Sequence, residues 1–123
     1  MEIRMTKTIL IVAAVLLFGS CEAVEDALNP VAHCDARETA AQTCLEYTGL
    51  ATVALSSTYQ EGCLGTWGSG VCSRTGMRGG CEQEISTTAN LTITTWTLGT
   101  AGSAEAQASQ SACESTGATW LQP

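Results

Sequence analysis

The residues of this chain best suited to chemistry are its seven cysteines, and their spacing limits what they can do. Six of them follow residue 30, and no two of these lie closer than eight intervening residues. Zinc sites usually place ligand cysteines two to four residues apart, and His33 is the only histidine. The pattern therefore predicts structural disulfides and neither a metal site nor another cofactor. The disulfide cysteines would be Cys34, Cys44, Cys63, Cys72, Cys81 and Cys113.

Six cysteines allow 15 connectivities, and spacing does not choose among them. The glycine-dense stretch from Leu64 to Cys81 nevertheless resembles a looped hairpin that a short crosslink could close. Our hypothesis for one bridge is therefore Cys72–Cys81. Each disulfide would stabilise a small domain by about 2–4 kcal/mol.

No arrangement of residues points to catalysis. A Ser-His-acid site would have to use His33, and the sequence has no Gly-x-Ser-x-Gly motif. Glu82 and Glu84 could form a carboxylate pair, but alternating acids near the start of a strand are typical of a solvated face. Residues 76–80 lack the lysine and the spacing of a phosphate-binding loop. We predict that the protein is not an enzyme.

The negative charge of the chain limits the classes of partner that it can bind. From Cys21 onward there is no lysine, and three arginines against eleven acids leave a net charge of −8. Such a surface disfavours nucleic acid and adsorption to anionic lipid headgroups. Two of the arginines, Arg74 and Arg78, lie in the glycine-rich loop 64–80, which makes them the candidate partner-binding residues. The alternative is that they only balance charge on an acidic surface.

The elements that would position these residues are short. Capping signals and helical spacing predict a helix near 36–47, with a strand over 43–47 as the alternative. Ser57 could cap a helix reaching Cys63, and Ile85–Leu98 is β-prone with a slip in its period. Ser103 as N-cap and Gly117 as stop predict the clearest helix, followed by a strand over 118–121. We expect an α+β fold, a small disulfide-rich single domain with two or three short helices and a small antiparallel sheet.

A short pattern occurs twice in the chain. A helical lead-in, a cysteine, a glycine and then Thr-Trp occur at 57–67 and again at 109–120. We interpret each copy as a helix, a glycine cap and a strand whose tryptophan enters the core beside a disulfide. Trp67, Trp96 and Trp120 could alternatively line a carbohydrate-stacking surface, but we expect at least two of them in the core.

The first 21 residues form an export signal. Arg4 and Lys7 precede an unbroken apolar run over 9–18, which is too short to span a bilayer. Gly19 and Ser20 then precede Cys21, and this motif resembles the lipobox of bacterial lipoprotein precursors, with Phe18 where leucine is usual. The spacing of the cysteines, glycines and tryptophans over 34–120 is also similar to that of small cysteine-rich lipoproteins without an assigned activity.

The resemblance implies a signal peptide over 1–20, a lipidated tether over 21–33 with the lipid on Cys21, and a cysteine-rich domain over 34–121. Cleavage after Ala23 is the alternative, and it would give a secreted protein. The implied function is that of a lipid-anchored bacterial cell-envelope protein, a non-enzymatic structural or partner-binding module. The alternative is an inhibitor or ligand-binding domain that presents loop 64–80. We expect the outer membrane or cell surface rather than the inner membrane, with the lipid as the membrane contact and an unknown envelope protein or ligand as partner.

Overall fold

A six-stranded antiparallel sheet dominates the computed structural model, which describes residues 30–87 and 90–123. The strands lie in the order β3-β1-β2-β5-β4-β6. Two helices, three disulfides and a crossing loop complete the described part. The elements in chain order are β1 Val31–Ala36, β2 Thr43–Thr48, α1 Ala51–Gly62, β3 Thr66–Ser69, β4 Met77–Ser86, β5 Leu91–Leu98, α2 Ala104–Ser115 and β6 Thr119–Leu121.

The two halves of the sheet repeat one plan. Each half contributes two long strands, a helix and a short edge strand, and the second half starts from the opposite side of the sheet. In each half a disulfide joins the first strand to the end of the helix, as Cys34–Cys63 and Cys81–Cys113. The cross-strand register places one row of residues side by side on a single face, in the order Trp67, Cys34, Leu45, Thr95, Cys81 and Trp120. The sequence repeat thus corresponds to a structural repeat that ends at both sheet edges.

Each face of the sheet has its own small core. The helices cover the face that carries Cys34 and Cys81, where Tyr47 is 6% exposed and stacks on Tyr59 with ring centroids 4.4 Å apart. The opposite face carries Trp96, which is 1% exposed. Trp96 packs in one cluster with Cys44, Cys72 and Met77, and Leu98 and Leu121 flank that cluster. Trp67 and Trp120, at the two edges, are half-buried.

The predicted helix near 36–47 is wrong, and the alternative strand is correct. The turn after β1 is closed locally, because the Thr39 backbone N–H and side-chain hydroxyl both donate to the carbonyl of Ala36. β2 then pairs along its whole length with β1 on one side and β5 on the other. It buries Cys44 on one face and Tyr47 on the other, and this two-sided burial outweighs the local helical signals.

The predicted hairpin over 64–81 and the proposed Cys72–Cys81 bridge are both wrong. β3 pairs with β1 at one edge of the sheet, whereas β4 lies four positions away. Residues 70–76, which we call the strap, therefore cross the face opposite the helices. Cys72 of the strap is bonded to Cys44 of β2.

The predictions for α2 and for the strand after it agree with the structure, whereas the β-prone segment 85–98 includes the end of β4 as well as β5. Ser103 caps α2 by accepting a hydrogen bond from the Ala106 N–H at 3.1 Å, and Gly117 follows the helix with φ +82°. β6 occupies the predicted strand. The slip in the period of β5 reflects a strand covered on both faces. The two register shifts lie in β4 instead.

The predicted signal peptide and Cys21 lie outside the described residues. The boundary drawn between tether and domain is too late, because residues 31–33 belong to β1 and pair with β2. Within residues 30–87 and 90–123, neither helix has the length and apolar character that crossing a membrane requires.

Candidate functional site

The strap is held on the sheet by a buried carboxylate. Glu46 of β2, 8% exposed, accepts a hydrogen bond from the Cys72 backbone N–H at 2.8 Å. The same oxygen accepts from Arg74 Nη1 at 2.8 Å, and Arg74 Nη1 also donates to the Cys72 carbonyl at 2.9 Å. One arginine therefore pairs with the sheet and closes the strap on itself.

Arg74 also covers the central tryptophan. Its guanidinium carbon lies 3.8 Å from the centroid of the Trp96 ring, which is the geometry of a cation–π contact. The Arg74 side chain is 38% exposed, so part of it still reaches the surface. Its main contacts are nevertheless inside the fold. Arg74 thus holds the strap on the sheet, which is a more specific role than balancing charge on an acidic surface.

Arg78 lies at the first irregularity of β4. Its side chain packs beside Gly99, where an added Cβ would lie 3.0 Å from Arg78 Cδ. Its Nε is buried and has no hydrogen-bond partner among the described residues. Arg74 and Arg78 thus have different surroundings.

The remaining candidates for catalysis do not converge. His33 is half-buried in β1, and its Nδ1–H donates to the Gly70 carbonyl at 2.9 Å. Glu84 is exposed and Glu82 is half-buried on β4. Among the described residues, no group of three potential ligands from His, Cys, Asp and Glu could hold a metal ion.

A cleft lies at the end of the sheet where β1 and β5 finish, and we call it the Asp35 cleft. Its volume is about 700 Å3. Leu64, beside the cleft, is 81% exposed and is the most exposed large apolar side chain among those described. Leu64, Gly65 and Thr66 begin the loop 64–80, so this part of that loop is presented at the surface. The lining residues are Asp35, Arg37, Glu38, Thr39, Gly65, Thr66 and Leu98.

An ion pair sets the electrostatics of the Asp35 cleft. Arg37 Nε donates to Asp35 Oδ1 at 2.8 Å, and Nη2 donates to Oδ2 at 2.5 Å. These hydrogen bonds lower the pKa of the Asp35 carboxyl below its ordinary value and raise the pKa of Arg37. Both groups stay charged at neutral pH, so the pair can orient a polar ligand but does not serve as a general acid or base.

The sequence pointed to Arg74 but not to its partner Glu46, and it did not point to the Asp35–Arg37 pair. The Asp35–Arg37 pair had a signal, because two oppositely charged residues stand two positions apart, Asp35 near the end of β1 and Arg37 in the turn that follows. Glu46 had none, because its partner Arg74 follows 28 residues later. Only the crossing of the strap brings these two residues together.

Comparison with known proteins found no matching protein family, no similar curated protein and no similar solved structure.

Proposed function

We propose that the protein is a lipid-anchored, non-enzymatic module of the bacterial cell envelope, with a structural or partner-binding role. One observation carries this proposal. The three disulfides use six of the seven cysteines, so Cys21 is the cysteine left over from these bridges. It is also the cysteine of the lipobox-like motif. An exported protein with an odd cysteine count has one thiol to account for, and acylation of Cys21 would do so.

The disulfides also support an extracytoplasmic location, since such bonds persist in oxidising compartments. The non-enzymatic role is supported by the surroundings of the polar groups. Glu46 and Asp35 are ion-paired, and the His33 Nδ1–H is used by a backbone carbonyl. These residues hold the fold together, which leaves recognition as the simplest use of the exposed surface.

The test is the fate of Cys21 in a bacterial host. We expect the full chain to enter the detergent phase and its mature N-terminal cysteine to carry acyl chains in intact-mass analysis. Cys21→Ala should release the protein into the aqueous phase. Ser20→Ala is the matched control, because it keeps a small residue before the cysteine. A water-soluble wild-type protein that begins at Val24 would disprove the anchor.

The alternative is an inhibitor or ligand-binding domain presenting loop 64–80, and the exposed Leu64 beside the Asp35 cleft favours it. A photo-crosslinking amino acid at position 64 should label a discrete envelope partner. The same amino acid at the exposed Gln107 on α2 is the control. Labelling of the same species from both positions would mean that the cleft does not select a partner.

A further inference from the structure

The described chain begins at one end of the sheet, which we call the entry end and define by Pro30, Gly49 and Asn90. The Gly49 N–H donates to the Pro30 carbonyl at 3.1 Å. Gly49 also lies against Asn90, the residue before β5, because a Cβ at position 49 would fall 1.6 Å from the Asn90 carbonyl oxygen. Pro30 before β1, Gly49 after β2 and Asn90 before β5 therefore meet where the described chain begins.

Exposed apolar side chains gather at this end. Leu50 and Val53 begin α1 and are 48% and 65% exposed. Ile85, at the irregularity near the end of β4, is 53% exposed. α1 carries no charged residue before Glu61, and Thr52 is its only fully buried residue. The first turns of α1 thus present an uncharged apolar surface on a strongly acidic protein.

We propose that Leu50, Val53 and Ile85 rest on the surface of the lipid bilayer to which Cys21 is attached. This inference rests on the proposed lipid anchor. Nine residue steps separate Cys21 from Pro30, so even a fully extended tether would hold the entry end within about 30 Å of the lipid. Because the tether already holds the domain near the bilayer, the contact of the entry end with the bilayer is effectively intramolecular. A weak apolar contact is then enough to keep this end on the bilayer surface.

The charges of the domain favour an apolar contact with the bilayer at this end over an electrostatic one. Arg37 and Arg74 are paired with acids, so the domain has little positive charge to offer an anionic surface. Glu84, next to Ile85, is exposed and would be repelled by anionic headgroups. The contact should therefore be shallow and stronger on zwitterionic than on anionic lipids. A protein partner at this end would have to enter between the domain and the membrane.

The experiment uses the native lipidated protein in phosphatidylcholine vesicles with bromine atoms on the acyl chains. Val53→Trp adds a fluorophore at the entry end, and Leu64→Trp adds one at the opposite end as the matched control. Both positions are exposed, so neither tryptophan needs to enter the core. After subtraction of the wild-type signal, brominated lipid should remove about half or more of the emission added at position 53, since interfacial segments insert about 5–10 Å. The emission added at position 64 should not change.

Flotation of the same vesicles separates the two proposals. If the wild-type protein does not float with the vesicles, the lipid anchor itself is wrong. If it floats but the position-53 emission is not quenched, or is quenched no more than that at position 64, the anchor stands and the bilayer contact is refuted. Replacing half of the phosphatidylcholine by an anionic lipid should reduce the quenching at position 53, and an increase would also overturn the apolar contact.

Discussion

Removing the charge of Arg74 tests whether the strap is held by the Glu46–Arg74–Trp96 arrangement. Arg74→Met keeps a flexible apolar chain over Trp96 but removes the hydrogen bonds that Nη1 and Nη2 donate to the Glu46 carboxylate at 2.8 and 3.4 Å. Glu46 then keeps only the Cys72 N–H as a partner while remaining 8% exposed. A buried carboxylate without its cation is costly.

The expected loss of stability follows from these contacts. A hydrogen bond to a charged group contributes about 1.5–3 kcal/mol, and a cation–π contact of this exposure adds about 1 kcal/mol. The Arg74 side chain is 38% exposed, so solvent screens part of the ion pair. We therefore expect Arg74→Met to cost about 2–4 kcal/mol of unfolding free energy. For a domain of this size, that corresponds to a decrease of about 10–20 °C in Tm.

Urea unfolding with intact disulfides measures this loss, because urea leaves the ionic strength low. Tryptophan fluorescence follows the unfolding, with contributions from the buried Trp96 on the strap face and from Trp67 and Trp120 at the sheet edges. Arg78→Met is the matched control, since Arg78 lies four residues after Arg74, at the start of β4, and its Nε has no partner among the described residues. A double-mutant cycle with Glu46→Gln isolates the pairwise coupling. A coupling below about 0.5 kcal/mol, or equal losses for the two arginine variants, would refute our account of the strap.

Three further predictions concern other contacts. Ser103→Ala removes the α2 cap and should lower the unfolding free energy by about 1 kcal/mol, measured by urea unfolding. Ser103→Asp should retain most of the stability, because aspartate is also a good N-cap. An unchanged urea midpoint in Ser103→Ala would show that the cap is not stabilising. Arg37 lowers the pKa of Asp35, so the ionised carboxylate stabilises the fold above the ordinary pKa of aspartate, and this stability is lost as the pH falls through the lowered pKa. Asp35→Asn should therefore be less stable than wild type at pH 7 but equally stable near pH 2. A difference in stability that is the same at both pH values would contradict this assignment. Burial raises the pKa of Tyr47 and the nearby Tyr59 adds to this effect, so the stability of the fold should fall as the pH rises above the ordinary tyrosine pKa. Tyr47→Phe should weaken this loss of stability in thermal melts recorded over a series of alkaline pH values. If the variant and the wild type have the same pH profile, Tyr47 is not the source of the loss.

The parts of the fold that could be predicted were those encoded by neighbouring residues. The limits of α2 follow from Ser103 and Gly117, whose effects act within one turn of the helix. By contrast, residues 36–47 carry helical signals and yet include most of β2, which runs from Thr43 to Thr48. β2 is paired on one side by the preceding strand β1 and on the other by β5, which is distant in sequence, and a local pattern does not report the pairing with β5.

The candidate site was less predictable than the fold, because its contacts join distant parts of the chain. Arg74 was recognised as unusual by its charge and its place in the glycine-rich loop. Its partners are Glu46 on β2 and Trp96 on β5, and neither is near it in sequence. The apolar entry end was equally hidden, because Val53 and Ile85 lie on different elements that the sheet brings to the same end.

The sequence by itself determined the acidic charge, the cysteine count and the caps of α2, since these depend only on composition and on contacts within a few residues. It also predicted that Cys34, Cys44, Cys63, Cys72, Cys81 and Cys113 form disulfides. Only the tertiary structure decided which cysteines pair. The strap crosses the sheet and brings Cys72 to Cys44, while Cys81 lies beneath the end of α2 and meets Cys113. A disulfide needs its two Cα atoms within about 7 Å, and chain separation alone does not specify that distance.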